Sequence, residues 1–198
     1  MQVDAIILPL RVPSFPRPMS ANALRIIGGR WRGRRLNFPP IPELRPTPDR
    51  VRETLFNWLG QDLTGRRTLD AFAGSGALSF EALSRGASLA VAVDHDPALV
   101  RALQASAAKL GTGALEAHCD DALSFLMRDR RRYDVVFLDP PFRVDDWLRL
   151  LPAAAARLEE DGMLYVEAGA PIEVPAELRL WRRDKAGRVH YHLLRRAT

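Results

Sequence analysis

The sequence predicts an α/β fold: a mostly parallel, seven-stranded Rossmann-like sheet closed by a C-terminal antiparallel hairpin, with a small N-terminal β-hairpin and helix added. Three observations carry that expectation. Apolar runs alternate with helical stretches between residues 67 and 168, the pattern of a parallel sheet covered by crossover helices on both faces. Two further strand-like runs flank Lys185-Ala186-Gly187 with no helix between them, as a hairpin does. Strand-like runs also end at or just before the acids Asp94, Asp121 and Asp139, and ligands of doubly wound sheets collect at the carboxyl ends of strands.

The chain of 198 residues suffices for one ordinary domain with a substantial core and a small appendage. Residues 1–23 are expected to be a disordered leader, 24–62 a hairpin-and-helix extension, and 63–198 the main domain. Within the leader, Ala5–Leu10 is apolar but too short to span a membrane, and no basic region precedes it. No export signal is read, and a cytoplasmic location is expected. Residues 11–18 are proline-rich, and Met19 offers a second possible start, so residues 1–18 are read as an upstream extension. A native N-terminal peptide beginning within residues 2–18 would refute that.

The hairpin is predicted from Arg25-Ile26-Ile27 and Arg35-Leu36-Asn37-Phe38, followed by a loop over 39–48. Apolar residues at 51, 55, 58 and 59 then have helical spacing, with Thr47 as N-cap and Pro48 at the first helical position. Arg50, Arg52 and Asn57 are candidates for the rim of a ligand cleft. Next come strand and helix in turn, at 67–73, 76–85, 89–94, 97–110, 114–119, 121–127, 133–139, 146–158 and 162–168, then the closing strands 178–183 and 189–194.

Four stretches carry chemistry. Asp139-Pro140-Pro141-Phe142 follows the apolar run Val135–Leu138. An acid, two prolines and an aromatic at a strand end suit a planar exocyclic amine, a poor nucleophile whose lone pair is delocalised into its ring. Asp139 supplies one hydrogen-bond acceptor. Pro140 supplies its carbonyl as another, because Pro141 biases it to an extended conformation, and Phe142 can stack on the base. Upstream, Asp70 lies in a short buried strand, Thr68–Phe72, that runs into the turn Ala73-Gly74-Ser75-Gly76, whose glycines allow close approach of a ligand to a helix N-terminus. Ser79 stands where a dinucleotide fold would prefer a third glycine. Asp94 ends the next strand and is placed to hold ribose hydroxyls. Asp121 with Ala122 could read an adenine edge, although an Asp before a helical stretch is also a good N-cap.

The formal charge is +5, and its distribution is more informative than its size. Arg25, Arg30, Arg32, Arg34 and Arg35 crowd around Trp31 and Phe38, with Gly28, Gly29 and Gly33 permitting a tight turn. Arginine pairs with phosphate bidentately and stacks on bases, so this segment is a candidate RNA contact. The single cysteine, Cys119, excludes an internal disulfide and a multi-cysteine zinc site. His190 and His192 share one face of a predicted strand without nearby acids and are read as flanking a sheet surface, so no metal site is expected.

The runs Arg25–Leu36, Arg45–Leu59, Asp70–Leu78, Glu81–Gly86 and Asp139–Phe142, with the tail Lys185–Tyr191, resemble the RsmD family of bacterial 16S rRNA guanine-N2 methyltransferases. The resemblance covers about residues 24–196. It implies a class I methyltransferase fold, S-adenosyl-L-methionine as cofactor, and 16S rRNA as substrate, within an assembling small ribosomal subunit. It also implies methyl transfer to the exocyclic amine of one guanine by a protein expected to be monomeric. Asp94 stands where the family usually has glutamate, and Asp121 where some members have Asn. The rival readings are an amine methyltransferase acting on DNA adenine or protein glutamine, and a non-catalytic RNA-binding or assembly protein. DNA enzymes usually need a larger target-reading region, a glutamine enzyme more often starts the motif with Asn, and a non-catalytic relative would be expected to have a broken turn or motif. A nicotinamide oxidoreductase is disfavoured by Ser79.

Overall fold

Period-two alternation decides how this sheet is covered. The computed structural model describes residues 22–41, 47–141 and 146–197; the leader through residue 21 and Phe142 lie outside them. The central strands are β3 (Arg67–Asp70), β4 (Leu89–Asp94), β5 (Leu115–Cys119), β6 (Tyr133–Leu138), β7 (Leu158–Ala168), β8 (Leu178–Ala186) and β9 (Val189–Arg196). Their order is β5-β4-β3-β6-β7-β9-β8, parallel except where β9 runs antiparallel to both β7 and β8. Ala90, Ala92, Val135, Phe137, Met163, Tyr165, Tyr191 and Leu193 belong to one core layer. The intervening residues Val91, Val93, Val136, Leu138, Leu164, Val166 and Leu194 belong to the other.

The first layer is covered by α1 (Asp49–Leu59), α2 (Ala77–Ser84) and α3 (Pro97–Leu110), and the second by α4 (Ala122–Arg128) and α5 (Trp147–Ala155). Val51, Leu55, Phe56 and Leu59 of α1 are buried in the first layer, as their helical spacing required. Trp58 lies against Tyr191 of β9 with ring centroids 5.4 Å apart, which ties α1 to the closing hairpin.

Several boundaries differ from the sequence reading. The N-terminal hairpin pairs β1 (Asn22–Arg25) with β2 (Arg35–Phe38), so Asn22 and Ala23 join the ladder, opposite Phe38 and Asn37. Ile26 and Ile27 are not strand. There the chain turns onto α2, where Ser84 Oγ accepts from Trp31 N at 2.9 Å and donates to Gly28 O at 2.5 Å. Gly29, at φ 69°, lies so close that a Cβ would fall 1.9 Å from the Ser84 carbonyl oxygen. β7 begins at Leu158, within the stretch read as helix, because Leu158 pairs with Tyr133 before residues 159–162 bulge out of register.

Candidate active site

Four acids extend the first-layer rows across four neighbouring strands. Asp94 continues Ala90 and Ala92, Asp70 continues Thr68, Asp139 follows Val135 and Phe137, and Glu167 follows Met163 and Tyr165. Because β4, β3, β6 and β7 are adjacent, their carboxyl groups form a row along the carboxyl edge of the sheet, roughly 4.8 Å per strand. Asp70, Asp94 and Glu167 are buried, and Asp139 is partly buried.

Each acid is held by neutral donors. Gly74 N and Asp96 N donate to the two oxygens of Asp94 at 2.8 and 2.9 Å. Ser79 Oγ donates to Asp70 at 2.8 Å, so the residue that breaks the dinucleotide pattern serves as an anchor. Thr47 Oγ1 donates to Asp139 at 3.2 Å, and Tyr165 OH donates to Glu167 at 2.9 Å. Apart from His95, with Nδ1 3.5 Å from Asp94, no basic side chain among the described residues pairs with the row.

Removal from water without a cation favours the neutral carboxyl. Burial pushes Asp70 up to about 7, with Asp139 and Asp94 adding to the rise and the Ser79 hydroxyl opposing it. Burial raises Asp139 to about 6 against the Thr47 hydrogen bond. Glu167 rises to about 8, through burial and then the nearby Asp139. A cation placed against this row would meet the countercharge that the protein withholds.

The turn after β3 brings backbone to the same edge. Gly74 and Gly76 have φ of 51° and 80°, both in the left-handed region. A Cβ on Gly76 would approach Leu103 Cδ2 to 2.5 Å and Phe80 to 2.7 Å, so the turn is packed tightly from below. Ala73 N donates to Val93 O and Gly76 N to Ala73 O, while Ser75 is buried. These contacts leave glycine backbone at the start of α2 beside Asp94. At the end of β5, Asp121 is exposed and Ala122 buried, and Asp121 Oδ1 accepts from Ser124 N at 2.8 Å as an N-cap. Asp120 N donates to Asp94 O, which keeps the two strand ends together. Beside Pro140 and Pro141 lies a groove of about 880 Å³, walled by Trp147 and Leu151 of α5, by Ala168 at the end of β7 and by Ile172 beyond it.

The sequence reading therefore placed Asp70, Ala73, Gly74, Ser75, Gly76, Asp94, Asp139 and Pro140 along one edge, with Asp121 and Ala122 at its end. It missed Thr47 and Glu167. Thr47 does not cap α1, whose preceding residue Pro48 makes no side-chain cap; its hydroxyl reaches the acid 92 residues away. Glu167 follows an apolar strand and carries no local signal.

Arg52 is not a rim residue. It is 1% exposed, and its guanidinium donates to Thr47 O, Arg25 O, Glu81 and Asp49. Glu81 also accepts from Ile27 N and Arg85, so one buried carboxylate of α2 fastens both the hairpin and α1 to that helix. Arg50 and Asn57 are exposed. The arginines Arg25, Arg30, Arg32, Arg34 and Arg35 are all exposed, while Trp31 is buried with the Arg30 guanidinium 4.2 Å over its ring. Since the hairpin turn meets the last residue of α2, it lies near the amino edge of the strands, roughly one eight-residue helix, about 12 Å, from the acid row. His192 is buried rather than surface-flanking, with Nδ1 lacking a partner among the described residues, and burial lowers its pKa. Among the described residues no His, Cys, Asp or Glu group could hold a metal ion, and no helix is long and apolar enough to cross a membrane.

The family profile Conserved hypothetical protein 95 matches residues 24–195. Ribosomal RNA small subunit methyltransferase D of Escherichia coli K12 is 43% identical over 188 residues, covering 91% of this chain and 94% of its own. The Haemophilus influenzae protein of that name is 36% identical, over 89% and 95%. The solved Escherichia coli methyltransferase yhhF superposes with a TM-score of 0.80 at 42% identity, over 88% of this chain and 98% of its own. A Thermus thermophilus 16S rRNA N2 G1207 methyltransferase, solved with AdoMet and guanosine, shares the fold with a TM-score of 0.68 at 23% identity, over 92% of this chain and 52% of its own. A match across both hairpins, the glycine turn and the Asp139 motif, at this identity and coverage, makes the chain a member of the Conserved hypothetical protein 95, or RsmD, family.

Proposed function

We propose that the protein methylates the exocyclic N2 of one guanine in 16S rRNA, with S-adenosyl-L-methionine as methyl donor. The observation that carries this reading is the acid row with Asp139-Pro140 at its centre: Asp94 and the glycine turn on one side suit a nucleoside-linked cation, and Asp139 with the Pro140 carbonyl suits a planar exocyclic amine. Membership in a family with small-subunit RNA methyltransferases supplies the substrate class.

The residues present fit the cofactor. Gly74, Ser75 and Gly76 bring backbone close to its amino-acid part, Asp94 has lone pairs left for ribose hydroxyls, and Asp121 with Ala122 faces its adenine. Asp70 shapes the floor through Ser79. When bound, the cofactor supplies an electrophilic methyl group on a positively charged sulfur. Asp139 and the Pro140 carbonyl accept hydrogen bonds from the target NH2 and hold its lone pair in line with that methyl, with Phe142 stacked on the base. On transfer of that methyl group to the amine, Asp139 would accept the surplus amine proton. An acid titrating near 6 is ionised at neutral pH and close enough in affinity to take that proton. The base must leave its stack to reach this edge.

Arg25, Arg30, Arg32, Arg34 and Arg35 bind phosphates away from the reacting base. Changing Arg32 and Arg34 together to Gln is expected to weaken RNA binding and to flatten its salt dependence by about 1–2 logarithmic units per decade of salt. An unchanged slope would remove them from the interface. The function is tested by following labelled methyl transfer to small ribosomal subunits, duplex DNA and a glutamine-bearing protein in parallel. The proposal expects label in small-subunit RNA alone; label in DNA or protein would move the assignment to those amines.

A further inference from the structure

The C-terminal hairpin carries a concentration of charge that the proposed chemistry does not use. Residues 178–196 hold seven basic side chains, Arg179, Arg182, Arg183, Lys185, Arg188, Arg195 and Arg196, against one acid, Asp184. Together with the five arginines of the N-terminal hairpin they account for more than twice the net charge of +5, so the rest of the chain is net negative. Asp184 is already engaged, accepting from Tyr191 OH at 2.9 Å and Lys185 N at 2.7 Å. Among the described residues none of the seven cations forms an ion pair, whereas Arg25, Arg52, Arg85, Arg128, Arg131 and Arg149 elsewhere all do.

β8 ends the sheet order, and residues 179–185 are exposed throughout. At its lower part the Arg195 guanidinium lies 3.9 Å over the Trp181 ring, while Trp181 stays 44% exposed. Arg195 Nε is buried there without an acceptor among the described residues. At its upper part Lys185 pairs with His190, and His190 pairs with Ala168 at the end of β7, next to Glu167. The basic track thus runs about 20 Å along the edge strand and finishes at the carboxyl edge where the acid row lies. Charges on an edge strand can serve simply to block sheet-to-sheet pairing. That role explains neither the exposed Leu180 and Trp181 among them nor the stacked arginine.

We infer that the β8–β9 hairpin is a second docking surface for the substrate RNA, its arginines and Lys185 neutralising phosphates flanking the target and Trp181 stacking on a base. The inference rests on RNA being the substrate. A platform of this kind is sequence-tolerant, because every base offers a π face. With the N-terminal arginines near the opposite edge, the two hairpins contact RNA at separate places, and the β8–β9 track leads to the acid-row edge where the target base enters.

The test uses the full chain with the combined changes Arg182→Gln, Arg183→Gln and Lys185→Gln, and separately Trp181→Leu, all at exposed positions. RNA affinity is measured over a salt series on a small-subunit RNA fragment, alongside the KM for methylation and the affinity for S-adenosylmethionine. The triple variant is expected to raise the KM for RNA roughly tenfold and reduce the salt slope by about 2 units, with cofactor affinity unaltered. Trp181→Leu should weaken RNA binding roughly fivefold or more with the slope intact. An unchanged slope and KM in the triple variant, in a protein that methylates RNA, overturns this inference alone and leaves edge protection as the explanation. Equal RNA affinity for Trp181→Leu overturns the stacking role. Wild-type protein that binds no RNA overturns the inference and the substrate assignment together.

Discussion

At the scale of single residues the proposed chemistry turns on Asp139. Its carboxyl ends a buried strand, takes one hydrogen bond from Thr47 and has no cationic partner among the described residues, so burial raises it to about 6. Asp139→Ala is expected to lower turnover by at least about a hundredfold, in the range of losing a general base, with S-adenosylmethionine affinity kept within about threefold. Calorimetric titration beside a methyl-transfer assay separates the two, and loss of cofactor binding would mean that Asp139 belongs to the cofactor site. Thr47 stabilises the anion of Asp139, so Thr47→Val should move the acid limb of the kcat/KM profile to higher pH. A limb that stays in place would show that another group governs it. Thr47 could not be recognised from sequence because the bond joins residues 92 apart, and a Thr before Pro48 is an ordinary helix start.

At the scale of elements, the N-terminal hairpin is fixed by polar contacts to α2 rather than by its own two short strands. Ser84 and Glu81 hold its backbone at Gly28, Trp31 and Ile27, and Gly29 lies against the end of the helix. Gly29→Ala would need a backbone shift at a left-handed position, at a cost of roughly 1–3 kcal/mol. Hydrogen exchange should then accelerate in β1 and β2 while β3–β7 keep their protection; uniform acceleration would show that the hairpin is part of the core. The crossover helices and inner strands were legible because their apolar periodicities are local and strong. The course of Ile26–Gly29 was not, because it is set by Ser84 and Glu81, more than fifty residues away. The start of β7 was hidden by Glu159, Glu160 and Asp161, of which the bulge turns the latter two outward to water. Of the site, the glycine turn and three strand-end acids could be read as motifs, whereas Glu167 had only its place in the fold.

At the scale of the whole molecule, the acid row sets the response to pH. Asp70, Asp139 and Glu167 have pKa values raised by folding, so the folded state binds more protons than the unfolded chain. Their contribution is fully present below the unfolded carboxyl range near 4 and is lost as pH rises through about 6 to 8. Asp49, Glu116, Asp121, Asp129 and Asp184 are lowered by hydrogen bonds and arginines, and act in the opposite sense below about 4. The cofactor-free protein should therefore be most stable between roughly pH 4 and 6 and lose melting temperature toward pH 8.5. His192, held neutral by burial, opposes this fall only weakly, as one group against three. Glu167→Gln should make the alkaline decline shallower, and S-adenosylmethionine should stabilise more at pH 8 than at pH 5.5, because a cation favours the ionised row. Thermal melts across pH would contradict the account if the decline were unaffected by Glu167→Gln.

The most direct test of the central claim is nucleoside mass spectrometry with fragment mapping. Small-subunit RNA from cells lacking the gene would be compared before and after its subunits are incubated with the purified protein and S-adenosylmethionine. N2-methylguanosine is expected to appear at one position. A methyl group on another atom, or no gain by a protein confirmed to bind the cofactor, would contradict it.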